Sequence, residues 1–471
     1  MDERKEVVKK ELKREVLNTW LVASYGIAAN APIAVATLYF VGIAGLAGGA
    51  LPLVTILSYL IYATTLVVIY EWSKDIASAY SYIAIVKKGL GSSLAAFTVG
   101  YGYIYQYLIS GTAGFGLLGL ASFLYLISPS IQSTMPWLWA VIVIVMTAEI
   151  TILMWLGVKP TGMLNLAIGL ISIAFLIITS IVLIGIAGSK NTFSVFTAQP
   201  INNNWILVLT AMIFGITTFG GATTPIGVAE EAKTPKKTLP RALLLEFGLL
   251  GLGLILNAYA QTVIYGPSNM FNYASLPDPM IVIYSKYFPT IVVILLIVLV
   301  AFMFNSSAIA FATSGSRMIY GMARDNVLYP RMFSDINKYG VPGKSIILTG
   351  IITGGISLIS GYILGPLEAS IFLITFGSFY VAFGHLFAAI GLVMHKVKVK
   401  MFDIIKHIIV PIISAITYIL VIYFGTYPAP AFPLNIAVYL AWGVLGLHIV
   451  IYYILKVRKP EIMKRFGDYS L

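Results

Sequence analysis

The sequence predicts an all-α polytopic membrane protein with 12 transmembrane helices. Composition points there first: of 471 residues, 59% are hydrophobic and only 10% charged, and the mean hydropathy is +0.92. A water-soluble surface of this size needs far more charge. Segment length points there too, because apolar stretches long enough to cross a bilayer recur along the whole chain. Charge placement is the third sign. Of the 30 Lys and Arg, all but Lys190 and Lys286 fall on one side once the spans are drawn with the N-terminus inside. That is the positive-inside pattern, and it sets both ends of the chain on the cytoplasmic side of the cell membrane.

Taken in order, the expected spans are 20–44, 51–71, 92–126, 136–157, 163–188, 205–231, 240–265, 288–323, 345–364, 367–394, 404–425 and 433–456. Each is helical, because a backbone in hydrocarbon must satisfy its own hydrogen bonds. Barrel strands would be shorter and would alternate apolar with polar. Ahead of the first span, "MDERKEVVKKELKRE" carries both charge signs, and residues 1–19 read as a cytoplasmic amphipathic helix, not a cleavable signal. The connecting pieces are short, the longest being 72–91, 266–287 and 324–344, and 277–287 reads as a short external helix. The net charge of +12 is therefore a topology signal and a contact for anionic headgroups of membrane lipids, with no nucleic-acid partner implied. There is no Cys, hence no disulfide framework and no thiolate chemistry.

Two short stretches repeat: "APIAVA" at 31–36 and "TPIGVA" at 224–229 share four of six residues. They lie in spans 1 and 6, an odd number of spans apart, so they cross the membrane in opposite directions. Two inverted halves of five spans would produce this, 20–190 and 191–400, with 401–471 as an appendage of two spans and a cytoplasmic tail. In both copies a helix-breaking patch precedes a proline, "GIAAN" before Pro32 and "TTFGGAT" before Pro225. Proline suits the first position of a new half-helix, and Thr224 is a good N-cap type. Unwound backbone is prohibitive against lipid but tolerable around a ligand. Half-helix N-termini favour a carboxylate, and free carbonyls favour an ammonium, so a zwitterionic amino acid fits both.

"GGATTPIGVAEEAKTPKKTLPRA" (220–242) resembles the span-6 signature of the amino acid–polyamine–organocation superfamily of permeases. "SSAIAFATSGSRMIYGMARDNVLYP" (306–330) is similar to that family's span-8 end, and "GVKPTGMLN" (157–165) and 77–107 to its 4–5 and 2–3 junctions. The resemblance covers spans 1–10 in register. It implies the LeuT-type five-plus-five inverted repeat with broken helices 1 and 6, alternating access, and amino acids or related amines as substrates. By position it implies that the substrate sits among Ala29, Asn30, Ala31, Pro32, Thr218, Phe219, Gly220, Gly221, Ala222 and Thr223, with Phe219 as an aromatic gate. Span 3 would add Gln106 and Tyr107, which otherwise serve packing. Asn305 and Ser306 stand where sodium-coupled relatives hold the ion; the alternative is hydrogen bonding between helices.

Several positions depart from the family pattern. Thr223 stands where many relatives carry an acid in span 6, Gln106 replaces an acid in span 3, and span 5 lacks a Lys. Direct proton coupling at those positions is therefore put in doubt. Glu149 in span 4 and His385 in span 10 are ionisable within the membrane and are candidates for coupling. Glu230, Glu231 and Arg317 lie at cytoplasmic helix ends and suit an inner gate.

The leading reading is a secondary transporter of neutral amino acids, with sodium or a proton as coupling ion and no other cofactor. No acid or base lies near the breaks in spans 1 and 6, so a charged side chain would be buried unpaired. A channel or substrate sensor on the same fold is the second reading. An enzyme ranks last, since the chain has no Cys, four His, no HExxH and no phosphate-binding loop.

Overall fold

The computed structural model describes Leu12, residues 14–400 and residues 403–468. In chain order the helices are α1 (Thr19–Asn30), α2 (Pro32–Ala47), α3 (Leu51–Asp75), α4 (Tyr82–Leu90), α5 (Ser93–Ile127), α6 (Leu138–Leu156), α7 (Val158–Ala187), α8 (Trp205–Thr217), α9 (Pro235–Tyr265), α10 (Pro279–Tyr287), α11 (Thr290–Arg324), α12 (Gly343–Leu364), α13 (Pro366–Lys398), α14 (Val410–Thr426) and α15 (Leu434–Arg458). A 3₁₀ segment, Thr224–Glu231, stands between α8 and α9. Among the described residues the only β pairing is an isolated bridge between Leu17 and Ala232.

Among the described residues, ten helical stretches are long and apolar enough to cross a membrane. The count differs from 12 at two places. Thr19–Asp75 runs as a single stretch, interrupted only at Ala31, and contains both spans expected at 20–44 and 51–71. The span expected at 205–231 is divided into the 13-residue α8, too short to be counted, and the 3₁₀ segment. The amphipathic helix expected over 1–19 falls mostly outside the described residues. What is described of it, Leu12 and residues 14–18, is not helical, because Leu17 is drawn into the bridge with Ala232. The short helix expected at 277–287 forms as α10.

The outer surface is apolar and the interior carries polar groups, the reverse of a water-soluble bundle. Ile144, Val145 and Ile152 of α6 and Ile171, Ile178 and Ile181 of α7 are exposed, whereas Thr37, Glu246, Asn257 and Gln261 are fully buried. Only hydrocarbon makes such a surface tolerable. Small residues bring the central helices close. A side chain added at Gly116 of α5 would strike Ala308 of α11 at 2.6 Å, and one at Gly89 of α4 would meet the backbone of Gly391 in α13 at 2.7 Å. Helix α5 packs against both α11 and α13 and is π-helical over Ala96–Gly100 and Gln106–Leu118. The wider turn re-aims its side chains, and such turns cluster at functional sites.

Asp278 caps α10, its Oδ1 accepting the Ile281 amide at 3.0 Å. Burial pushes this carboxyl up from its usual range to about 7. A carboxyl raised in this way stabilises the fold in its protonated form. That contribution is complete below about pH 4, the ordinary carboxylate range, and is lost as pH rises through about 7. Asp278→Asn keeps the cap acceptor and removes the charge. The variant should therefore gain thermal stability relative to wild type as pH is raised from 4 to 8, measured as the difference between their melting midpoints in detergent.

Candidate functional site

The chain breaks twice where the sequence is small and polar. Span 1 breaks at one residue. Ala31 takes a left-handed conformation (φ 44°, ψ 63°), its N–H bonds back to the carbonyls of Ile27 and Ala28, and Pro32 opens α2. The first amides of α2 then lack intrahelical partners, as at any helix start. Span 6 breaks over residues 218–223, a series of tight turns in which Gly220 N–H reaches the Thr217 carbonyl at 3.0 Å and Thr224 N–H the Gly221 carbonyl at 3.0 Å. The second half begins as the 3₁₀ segment with Pro225 in its first turn, not as an α-helix. Thr224 is not its N-cap; instead Ser314 Oγ donates to the Thr224 carbonyl at 3.2 Å. A side chain at Gly227 would collide with Ser314, so that packing holds the segment against α11.

The two breaks meet through Asn30. Its Nδ2 donates to the Gly26 carbonyl and its Oδ1 accepts the Gly221 amide, both at 3.2 Å. A third element joins from α11, where Ser307 Oγ donates to the Ala29 carbonyl at 3.2 Å. Beside this junction lies a cavity of about 90 Å³ lined by Ala29, Asn30, Thr218, Gly220, Gly221 and Gln106, all expected from the sequence. On this measure one water takes roughly 10–15 Å³, so there is room for several non-hydrogen atoms. Tyr39, Tyr62, Ser110, Gly111, Phe115 and Phe311 are among the other wall residues and were not foreseen. Among the described residues, no Asp, Glu, Lys, Arg or His lines it. The Gln106 carbonyl oxygen is buried without a partner. Leaving such a group unpaired costs about 1–3 kcal/mol, so it is a ready acceptor for a donor placed in the cavity.

Other expected residues lie elsewhere. Ala31, Pro32 and Ala222 are buried at the breaks but do not line the cavity. Phe219 is turned away from it, packed edge-on to Tyr59 at 5.4 Å and Phe247 at 5.8 Å, so it does not gate the space as expected. Tyr107 is held by Ser81 at 2.9 Å. Thr223 meets the Tyr103 hydroxyl at 3.1 Å; Tyr103 stacks on Tyr82, whose hydroxyl reaches His385 Nδ1 at 3.0 Å. Thr223 and His385 thus belong to one buried hydroxyl network.

Asn305 and Ser306 do not converge. Successive residues of a helix point about 100° apart. Asn305 Nδ2 donates to the carboxylate of Glu149, Ser306 is buried with its hydroxyl unpartnered, and it is Ser307 that faces span 1. Glu149 itself is exposed on the outer face of α6, remote from the cavity walls.

The gate residues do assemble. Arg317 Nε and Nη2 each donate to Glu231 at 3.0 Å, and both side chains are 1% exposed. Removing one partner of such a pair leaves a buried charge and costs about 3–5 kcal/mol. Glu230 accepts the Ala79 amide at 2.8 Å and Arg324 at 3.4 Å. The Glu231 carbonyl takes the amides of Val16 and Leu17 at 3.0 and 3.1 Å, and Leu17 returns a carbonyl to Lys233 at 2.7 Å. These bonds tie residues 16–17, the 3₁₀ segment and α11 together at the basic end of the bundle. One intramembrane acid was passed over in the sequence although it stands plainly within 240–265. Glu246 of α9 is fully buried and both of its oxygens lack partners.

A Cβ at Gly221 would stand 2.5 Å from the Ala29 carbonyl carbon and the Asn30 nitrogen, while at Gly220 the nearest atom would be 3.2 Å away. Overpacking costs about 1–3 kcal/mol. Gly221→Ala should accordingly lower the melting midpoint in detergent well below that of Gly220→Ala, and equal midpoints would show that the breaks are not in contact.

No curated protein matches the chain. The family description "Amino acid permease" does match, over residues 19–451, from the start of α1 into α15 and across both breaks. The chain therefore belongs to this permease family of the amino acid–polyamine–organocation superfamily.

Proposed function

We propose that the protein is a secondary active transporter that moves neutral amino acids across the cell membrane by alternating access. The observation that carries this is the cavity at the junction of the two breaks, which offers backbone, amide and hydroxyl groups and, among the described residues, no Asp, Glu, Lys, Arg or His. A zwitterion whose side chain is uncharged leaves nothing unpaired there. Aromatic and small residues around it suit apolar side chains. The twelve-span, five-plus-five inverted-repeat architecture is part of the same reading. It is supported by the paired breaks before Pro32 and Pro225, which use matching sequence in oppositely directed spans.

A second cavity, of about 560 Å³, shares Tyr39, Phe115, Thr217, Ile374 and Ser378 with the first and extends from it toward Pro277 and Leu367. The opposite, basic end is closed by Glu231, Arg317 and the Leu17 bridge. With the basic end cytoplasmic, this arrangement corresponds to a state open outward, and opening inward requires the Glu231–Arg317 contact to part.

Purified protein in proteoliposomes loaded with unlabelled L-leucine or L-alanine is expected to take up the labelled form by counterflow. Glu231→Gln is expected to slow that exchange, because weakening the pair that holds the outward-open state makes the return to that state the slow step. Transport of arginine or polyamines alone would overturn the neutral-substrate reading. Binding seen by thermal shift without any exchange would favour a sensor.

A further inference from the structure

Glu246 has no part in the site described above, yet it is poised against it. Its carboxyl occupies the space that a side chain on Gly26 would need, so it rests directly on α1. Gly26 lies one helical turn before Asn30 and accepts the Asn30 amide, the residue that ties the two breaks together. Helix α7 packs on both α1 and α9. There Asn165 is buried with both amide atoms unpartnered, and the Ser172 hydroxyl is unpartnered too. Asn257 bonds Ser180, and Gly253 lies beside Ile173. That register sets Glu246 opposite residues 166–169, between Asn165 and Ser172. Asn165 and Ser172, about 10 Å apart along α7, lie to either side of that level.

No cation faces this carboxyl among the described residues. From α1 the titratable neighbour is Tyr25, whose hydroxyl is tied to the Val158 carbonyl at 2.8 Å and to Thr161 at 2.7 Å. From α3 they are Tyr59, bonded to the Phe247 carbonyl at 3.4 Å, and Tyr62, which lies within electrostatic reach of Glu246 and also lines the cavity. From α2 there is Tyr39, on the cavity wall. From the 3₁₀ segment there are Glu230 and Glu231, both committed to arginines. Helix α7 has no ionisable residue beyond Lys159. Toward the far end of α9 lie Tyr273, Asp278 and Tyr284, with Tyr273 bonded to Gln261 and Tyr284 to Thr179. An ionised carboxylate with no counter-charge and no donor is not held in such a place.

We propose that Glu246 is the proton-binding site that couples transport: one proton bonds to its carboxylate from the outer side and is released to water on the cytoplasmic side with each substrate molecule. This rests on the transport reading above. The O–H bond made at Glu246 removes the charge while α1 is packed on α9. Movement of α1 away from Gly26's present contact, needed to open the basic end, admits water and lets the proton leave. Tyr62, shared between the cavity wall and the surroundings of Glu246, lets occupancy of one be felt at the other. A lone carboxylate to which no other described group bonds offers a proton a site more readily than it offers sodium a full oxygen shell.

The test uses the full chain in proteoliposomes with a trapped pH dye and labelled L-leucine or L-alanine. In wild type, an acid-outside gradient should drive accumulation, and adding the amino acid should acidify the lumen. Glu246→Gln should lose both signals while keeping counterflow exchange, which needs no net proton movement. If that variant fails to fold, Glu246→Asp should keep substrate-dependent acidification with a displaced pH profile. The proposal is overturned if wild type exchanges the amino acid without acidifying the lumen, if only a sodium gradient drives accumulation, or if Glu246→Gln accumulates as wild type does. A wild type that exchanges none of these amino acids instead sinks the transport reading itself, and the Glu246 proposal with it.

Discussion

The structure depends on one junction, the Asn30 side chain bridging two broken backbones. Through it Gly26 of α1 and Gly221 of the second break share one residue, and the broken chains approach within van der Waals contact. In hydrocarbon each open amide or carbonyl is costly. The breaks survive because each supplies partners to the other and because Ser307 and Ser314 of α11 meet a carbonyl on each. The groups left over line a small cavity, so the constraint that makes the breaks tolerable also makes the site.

Around that junction the molecule divides chemically. On the basic side, Arg317 and Glu231 pair their buried charges and Leu17 bridges to Ala232. On the opposite side the wall is aromatic and aliphatic and opens into a larger space. Between α1, α7 and α9 sits Glu246, which has no partner among the described residues; the same holds for Asn165 and Ser172 further along α7 in either direction. Buried polar groups lacking partners are rare in native proteins and call for explanation, and proton binding supplies one here.

Much of this was legible in the sequence. Hydropathy marks the helices because the bilayer imposes a length. Prolines after small polar runs mark both breaks, since only such runs leave a helix without a steric cost. Six cavity-lining residues, Ala29, Asn30, Gln106, Thr218, Gly220 and Gly221, could be named because the breaks locate them. Direction was harder. Phe219 points into an aromatic cluster because the turns at 218–223 rotate it away from the cavity, and turn geometry is not written in residue type. Helical phase decides that Ser307 and not Asn305 faces span 1, and a shift of one residue is beyond hydropathy. The π-helical turns of α5 bring Ser110 and Gly111 to the wall without any local signature. Glu246 was visible as an acid within a span; what the sequence did not show is that no cation meets it.

The central claim is that the cavity at the junction holds the substrate, and the natural absence of Cys makes it directly testable. Ser110→Cys places a single thiol on the cavity wall. A membrane-impermeant thiol reagent added from outside should label it, and L-leucine or L-alanine should slow that labelling while arginine does not. Labelling that proceeds at the same rate with every amino acid present would contradict the account.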